Sequence, residues 1–135
     1  MKYRKGFKYQ LAEDAFLQTN IIPPSPIDTK FITLDMSGLL GLRDGYASDG
    51  PSGPTIDTAA SMSGAFFHDG ACQLVRMGKL PHVPEVEAKV NMMAYEKWKA
   101  SGMYEWRAWW WHRQLNNFGG FALDPKNLKK IYEVP

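Results

Sequence analysis

A single cysteine, Cys72, stands in a chain of 135 residues, so no disulfide can close within it and nothing marks an oxidising compartment. Long hydrophobic runs are missing as well, and no window reaches the length of a membrane-spanning helix. The basic opening MKYRKGFKYQ has no apolar stretch behind it, so no secretory signal is expected and folding in a cytoplasm is. An excess of one charge is also missing. The 16 Lys and Arg face 14 Asp and Glu, a net +2 that offers no clustered basic face for nucleic acid. The lysines and arginine near the two ends (Lys2, Arg4, Lys5, Lys8; Lys126, Lys129, Lys130) read as solvated termini. No repeat, low-complexity tract or linker divides the chain, so one domain with one core is expected.

What is present falls into segments of different rhythm. Residues 1–46 carry short alternating apolar runs, FKYQLAED, AFLQT, KFITLDMSG and LLGLRDGY, broken by turn residues. In KFITLD, Phe31, Thr33 and Asp35 alternate with Ile32 and Leu34, the period of a half-buried strand, and Ser37-Gly38 supplies a hairpin-like turn after it. Pro23, Pro24 and Pro26 make IIPPSPID a stiff connector or edge segment, because proline cannot donate to a ladder. Residues 47–58, ASDGPSGPTIDT, have no period and read as a functional-length loop.

From 59 to 120 the pattern is helical. A first helix is expected from about Ala59 to Met77, capped by Asp57 or Thr58 and ended by Gly78. A second is expected from Pro84 to Ser101-Gly102 with the stripe Val86, Val90, Met93 or Ala94, and Trp98. A third is expected from Met103 to about Phe118, stopped by Gly119-Gly120, leaving 121–135 as a tail. The expected fold is therefore α+β, a small N-terminal antiparallel sheet followed by about three helices packed on it.

In the third helix Tyr104, Ala108, Trp111, Leu115 and Phe118 share an arc that would dock it on the sheet. Trp106, Trp109 and Trp110 lie off that arc. They are either covered by strands and tail or kept as a face for a partner, and indoles are enriched in interfaces.

The chemistry-bearing candidates centre on His68-Asp69. A metal-assisted hydrolase built on His68, Asp69 and Asp49 needs further ligands, yet His82 and His112 have no metal-motif spacing to His68. The bland alternative has His68 donating to a backbone carbonyl while Asp69 anchors the Gly-Pro loop. His68 and Cys72, four residues apart on one helix face, could form a nucleophile pair or sit at a core margin. Asp44, Asp49 and Asp57 do not have calcium-hand spacing, no lysine follows GPSGPT as a phosphate loop requires, and Ser52, Ser61 and Ser63 lack a positioned base. Asp49 or Asp57 is expected to close the loop near His68. No cofactor and no tightly bound metal are expected.

The stretches FKYQLAEDAFLQT, FITLDMSGLLGLRDGYASDGPSGPTIDT, GAFFHDGACQL and RAWWWHRQLNNFGG, in this order over nearly the whole chain, resemble a phage and prophage family, the domain of unknown function thirteen-fifty-three. The resemblance implies a bacteriophage or prophage origin, with a gene among late functions near tail or lysis, and carries no activity. Family members commonly have an aromatic residue at Ser48 and read His-Asp-Ala-Leu-Tyr where this chain has His68-Asp69-Gly70-Ala71-Cys72. An aspartate is often found at the position of Asn91. If it ligates a metal in relatives, an amide here is a poorer ligand and the site is weakened. A tyrosine usual at Cys72 counts against a shared thiol mechanism.

The first expectation is accordingly a phage structural or accessory module, virion- or tail-associated. Its partners would be other phage structural proteins or a second copy, met through Trp106, Trp109 and Trp110. It would be made in the host cytoplasm and carried in the particle, without nucleic acid or a membrane span. The alternatives are the small hydrolase at His68-Asp69 and an intracellular phage effector that binds a host factor or small molecule.

Overall fold

The computed structural model describes residues 3–4, 9–48 and 59–123. Seven short strands come first: β1 (Tyr3–Arg4), β2 (Tyr9–Leu11), β3 (Ala15–Gln18), β4 (Ile27–Asp28), β5 (Ile32–Leu34), β6 (Leu39–Leu42) and β7 (Ala47–Ser48). They form two antiparallel sheets, one ordered β1-β2-β7 and one ordered β3-β6-β5-β4. Ala47 and Ser48, expected to open the irregular loop, instead pair with Gln10 and Tyr9. The ladder reaches them because the Leu11 N–H donates to the Tyr46 carbonyl and the Gly45 N–H donates to that of Leu11.

Alternation sets the hairpin of β5 and β6. Ile32 and Leu34 are buried, with Thr33 between them half-buried, and they face Leu42 and Leu40 across the ladder. Asp35 shapes the turn: its Oδ1 accepts the Ser37 N–H, the Ser37 hydroxyl and the Leu39 N–H. Those bonds, the Ser37 hydroxyl first, hold the Asp35 carboxyl below its usual range. Gly38 then takes φ +89°, and a Cβ there would stand 2.4 Å from the Thr19 carbonyl oxygen. Pro23, Pro24 and Pro26 lie in the connector that carries the chain to β4, an edge strand.

Three helices follow, α1 (Ala59–Arg76), α2 (Pro84–Ala100) and α3 (Glu105–Leu123), so the fold is α+β with strands before helices. α1 is covered on nearly every side: from Met62 to Val75 only Ser63 and Asp69 are not buried. Such a helix belongs in the middle of a domain. Gly70 brings it onto β6, where a Cβ would meet the Leu42 side chain at 2.6 Å, and Gly64 brings it against Trp98 of α2. Gly78, at φ +75°, follows the end of α1 as expected. In α2 the buried residues Val90, Met93, Ala94 and Trp98 follow the anticipated stripe, with Asn91 beside them.

Two expectations about α3 need correction. It runs through Gly119-Gly120 to Leu123, because glycine costs only about 1 kcal/mol against alanine inside a helix and no proline follows before Pro125. Its main neighbours within the helical layer are α2 and α1. Tyr104 is 75% exposed instead of sharing the core arc. It lies just before the helix, where its carbonyl accepts the N–H groups of Arg107 and Ala108, so its side chain does not follow the helical wheel. Ala108 and Trp111 do face inward, with Ala94, Trp98 and Met103, in a second small core between α2 and α3. There Trp98 and Trp111 meet edge to face, with centroids 5.0 Å apart. The side chain of Phe118, also placed on that arc, lies outside the described residues.

Candidate functional site

The His68-Asp69 pair lies in the second half of α1, and His68 points toward α2. Its Nε2 is 3.0 Å from Asn91 Oδ1. Asn91 Nδ2 donates in turn to Asn116 Oδ1 of α3 at 2.9 Å, and Asn116 Nδ2 faces His112 Nε2 at 3.4 Å. An amide nitrogen only donates and an amide oxygen only accepts, so the chain of bonds has one direction. His68 Nε2–H donates to Asn91, Asn91 donates to Asn116, and Asn116 donates to an unprotonated Nε2 on His112. His68 therefore rests on an amide side chain of another helix where a backbone carbonyl was expected. His112, which no spacing rule connects to His68, ends the same network. The Tyr95 ring packs beside it, centroids 5.2 Å apart.

Cys72, one turn after His68, completes the cluster. Its Sγ is 3.6 Å from Nδ1 and 3.7 Å from Nε2. Near-equal distances to two nitrogens whose lone pairs diverge put the sulfur against the ring, not on the axis of either lone pair. Burial opposes charge on His68, but Cys72, the Asn91 bond and the charge of Asp69 outweigh it and push the imidazole up to about 9. Burial alone holds His112 below its ordinary value. The two ends of one network thus shift in opposite directions, the protonated ring at the donating end and the neutral ring at the accepting end.

A titration follows from this. His68 should change protonation near pH 9, observed by NMR of its ring protons, and Cys72→Ala should lower it, since Cys72 leads the groups that raise it. Its folded pKa stands above the unfolded one, so its stabilisation is complete below about pH 6.5 and is lost as pH rises toward about 9. Wild-type stability should fall across that window, and the Cys72→Ala protein should show a smaller fall. An unchanged His68 titration in the variant would remove Cys72 as the cause.

The connectivity here is that of a nucleophile, a base and a residue that orients the base. Access is not. His68 is 7% and Cys72 2% exposed, so both side chains are buried. What the cluster does chemically is join α1, α2 and α3 through charge-assisted and amide hydrogen bonds.

The other candidates are scattered. Asp69 is half-buried beside His68, while Asp49, Asp57 and Ser52 lie outside the described residues, as does the side chain of Ser61. The expected approach of the loop aspartates to His68 therefore lies outside them as well. His82 is exposed between α1 and α2, and Asp44 is exposed in the turn after β6, its N–H bound by Asp14 Oδ1. Among the described residues no group of three or more His, Cys, Asp or Glu is placed to hold a metal ion.

The second candidate surface is on α3. Trp106, Trp109 and Trp110 are 72%, 51% and 45% exposed, on the side away from Ala108 and Trp111. Arg113 shares that side, its guanidinium 5.6 Å from the Trp109 ring centre. A groove of about 560 Å³ opens beside them, lined by Tyr95, Tyr104, Glu105, Trp106 and Trp109. No described helix is long and apolar enough to cross a membrane. The chain matches no protein-family model, no curated protein and no solved structure.

Proposed function

We propose that the protein is a bacteriophage structural or accessory module, virion- or tail-associated, that works by protein contact through the outer face of α3. The observation that carries this reading is the exposure of Trp106, Trp109 and Trp110 on one side of a helix whose opposite side already holds a core. Burying one such indole is worth roughly 2–3 kcal/mol by area, so leaving three wet is costly unless a partner covers them. The phage context is supported by the resemblance of the stretches from FKYQLAED to RAWWWHRQLNNFGG to the family named above.

The hydrolase reading has one observation in its favour, the orientation of His68 by Asn91. Closure of the site weighs against it, as does an imidazole at about 9 where a base poised near neutral is wanted.

The test is fractionation of particles purified from the phage or prophage that encodes the chain. The wild-type protein should co-purify with particles. A Trp106→Ser/Trp109→Ser protein, with unchanged circular dichroism, should be depleted from them at least tenfold. Recovery of the wild type in lysate alone, or equal incorporation of the variant, would sink the reading.

A further inference from the structure

We propose that the partner covering this face is a second copy of the chain, with α3 packed antiparallel on α3 about a two-fold axis near Trp109. The inference rests on the reading of this face as a protein-contact surface and names what it contacts. Trp106, Trp109, Trp110 and Arg113 recur at the three- and four-residue spacing of a helix-pairing seam. Glu105 and Arg113 stand four residues on either side of Trp109, one acid and one base. An antiparallel pair centred on Trp109 sets each Glu105 opposite the other copy's Arg113. A parallel pair would oppose like charges.

The groove fits the same occupant. It offers a carboxylate, Glu105, among the rings of Tyr104, Trp106 and Trp109, which suits a guanidinium, while the Tyr95 ring beside them is covered by the Lys99 ammonium of its own chain. Arg113 already lies over an indole in its own chain, so its side chain suits that environment. An isologous interface requires a patch to be complementary to itself, and this one carries both the group and its receptor. Three indoles and the Tyr104 ring, at about 150–250 Å² each when fully open, leave on the order of 500 Å² uncovered. A stable interface takes about 800 Å² per partner, so these four side chains supply more than half of one. Glu105 in the groove works against an anionic membrane surface, although two cations stand near this face, Arg113 over Trp109 and Lys99 over Tyr95.

Sedimentation equilibrium of the full chain tests the proposal. The wild type should be a dimer at micromolar concentration. Glu105→Arg and Arg113→Glu should each weaken association at least tenfold, the first by setting arginine against arginine and the second glutamate against glutamate. An equimolar mixture of the two variants should form a heterodimer within about threefold of wild-type affinity, because both opposite-charge contacts return. Trp109→Ser, which leaves the charges in place, should also weaken the dimer. A monomeric wild type at about 100 µM, undiminished association of either charge variant, or a mixture that fails to pair would overturn the proposal. So would wild-type monomer binding to anionic vesicles or to polysaccharide through this face. Particle incorporation is scored separately, so a monomer that still enters particles through its tryptophans would remove the second copy and leave the contact function standing.

Discussion

Replacing Asn91 with leucine is expected to lower stability by about 3 kcal/mol at neutral pH, a fall of roughly 10 °C in Tm for a domain of this size. Leucine keeps the four-atom branched outline of a residue buried between α1 and α2, with two bulkier methyl groups in place of the amide oxygen and nitrogen. It removes both the acceptor of His68 Nε2–H and the donor to Asn116 Oδ1. A hydrogen bond to a charged group contributes about 1.5–3 kcal/mol and a neutral one about 0.5–1.5, and the buried imidazolium has no water to replace the first. The loss should depend on pH. It should be largest below about pH 6.5, where His68 is charged in both proteins, and should shrink as the wild type approaches its own titration near 9. Asn91→Asp is the informative companion. It keeps an acceptor for His68 and adds a negative charge beside an imidazolium, while the Asn116 amide can turn to donate to it at the expense of its long contact to His112. That variant should stay within about 1 kcal/mol of wild type. Denaturant unfolding of the three proteins between pH 5 and 9 measures both effects. A leucine variant as stable as wild type would mean that the network joins nothing of consequence.

The pieces of this network differ in how far the sequence exposes them. His68 and Cys72 share a helix face by simple i, i+4 spacing, so their meeting is readable from the chain alone. Asn91 draws notice only through an aspartate expected at its position, whereas in the structure it bonds an imidazole. Asn116 and His112 also stand four apart on one face, which is a signal of sorts. Nothing in the pattern, however, says that this face turns toward His68, because periodicity reports which residues share a face and not which faces meet. The same limit explains α3. Its inward residues Ala108 and Trp111 follow the wheel, but that they meet Ala94 and Trp98 of α2 is a tertiary choice. Tyr104 leaves the arc for a local reason, since a residue just outside a helix does not inherit its angles. The strands were easier where Ile32 and Leu34 alternate with a polar neighbour. Two-residue strands such as Ile27–Asp28 and Ala47–Ser48 are too short to show any period.

Gly64→Val should be about as damaging, near 3 kcal/mol, although it adds only apolar atoms to an apolar place. A Cβ at position 64 would come within 2.5 Å of both Cδ1 and Nε1 of Trp98, closer than unbonded heavy atoms approach. Relief must come from the indole or from the helices. The indole is itself buried and stands edge to face on Trp111, 5.0 Å between centroids, so it has no free space behind it. The strain then passes to the α1–α2 contact, and overpacking of this kind costs about 1–3 kcal/mol or more. Helix propensity works the other way, since valine is a few tenths of a kcal/mol better than glycine in a helix, which is too small to offset it. A double-mutant cycle separates the clash from any general intolerance at position 64. Trp98→Phe shortens the opposing ring and alone should cost 1–2 kcal/mol. Combined with Gly64→Val, it should recover at least 1 kcal/mol relative to the sum of the two. Strict additivity of the two substitutions in denaturant unfolding would show that position 64 does not feel the indole, and that another contact sets the approach of α1 to α2.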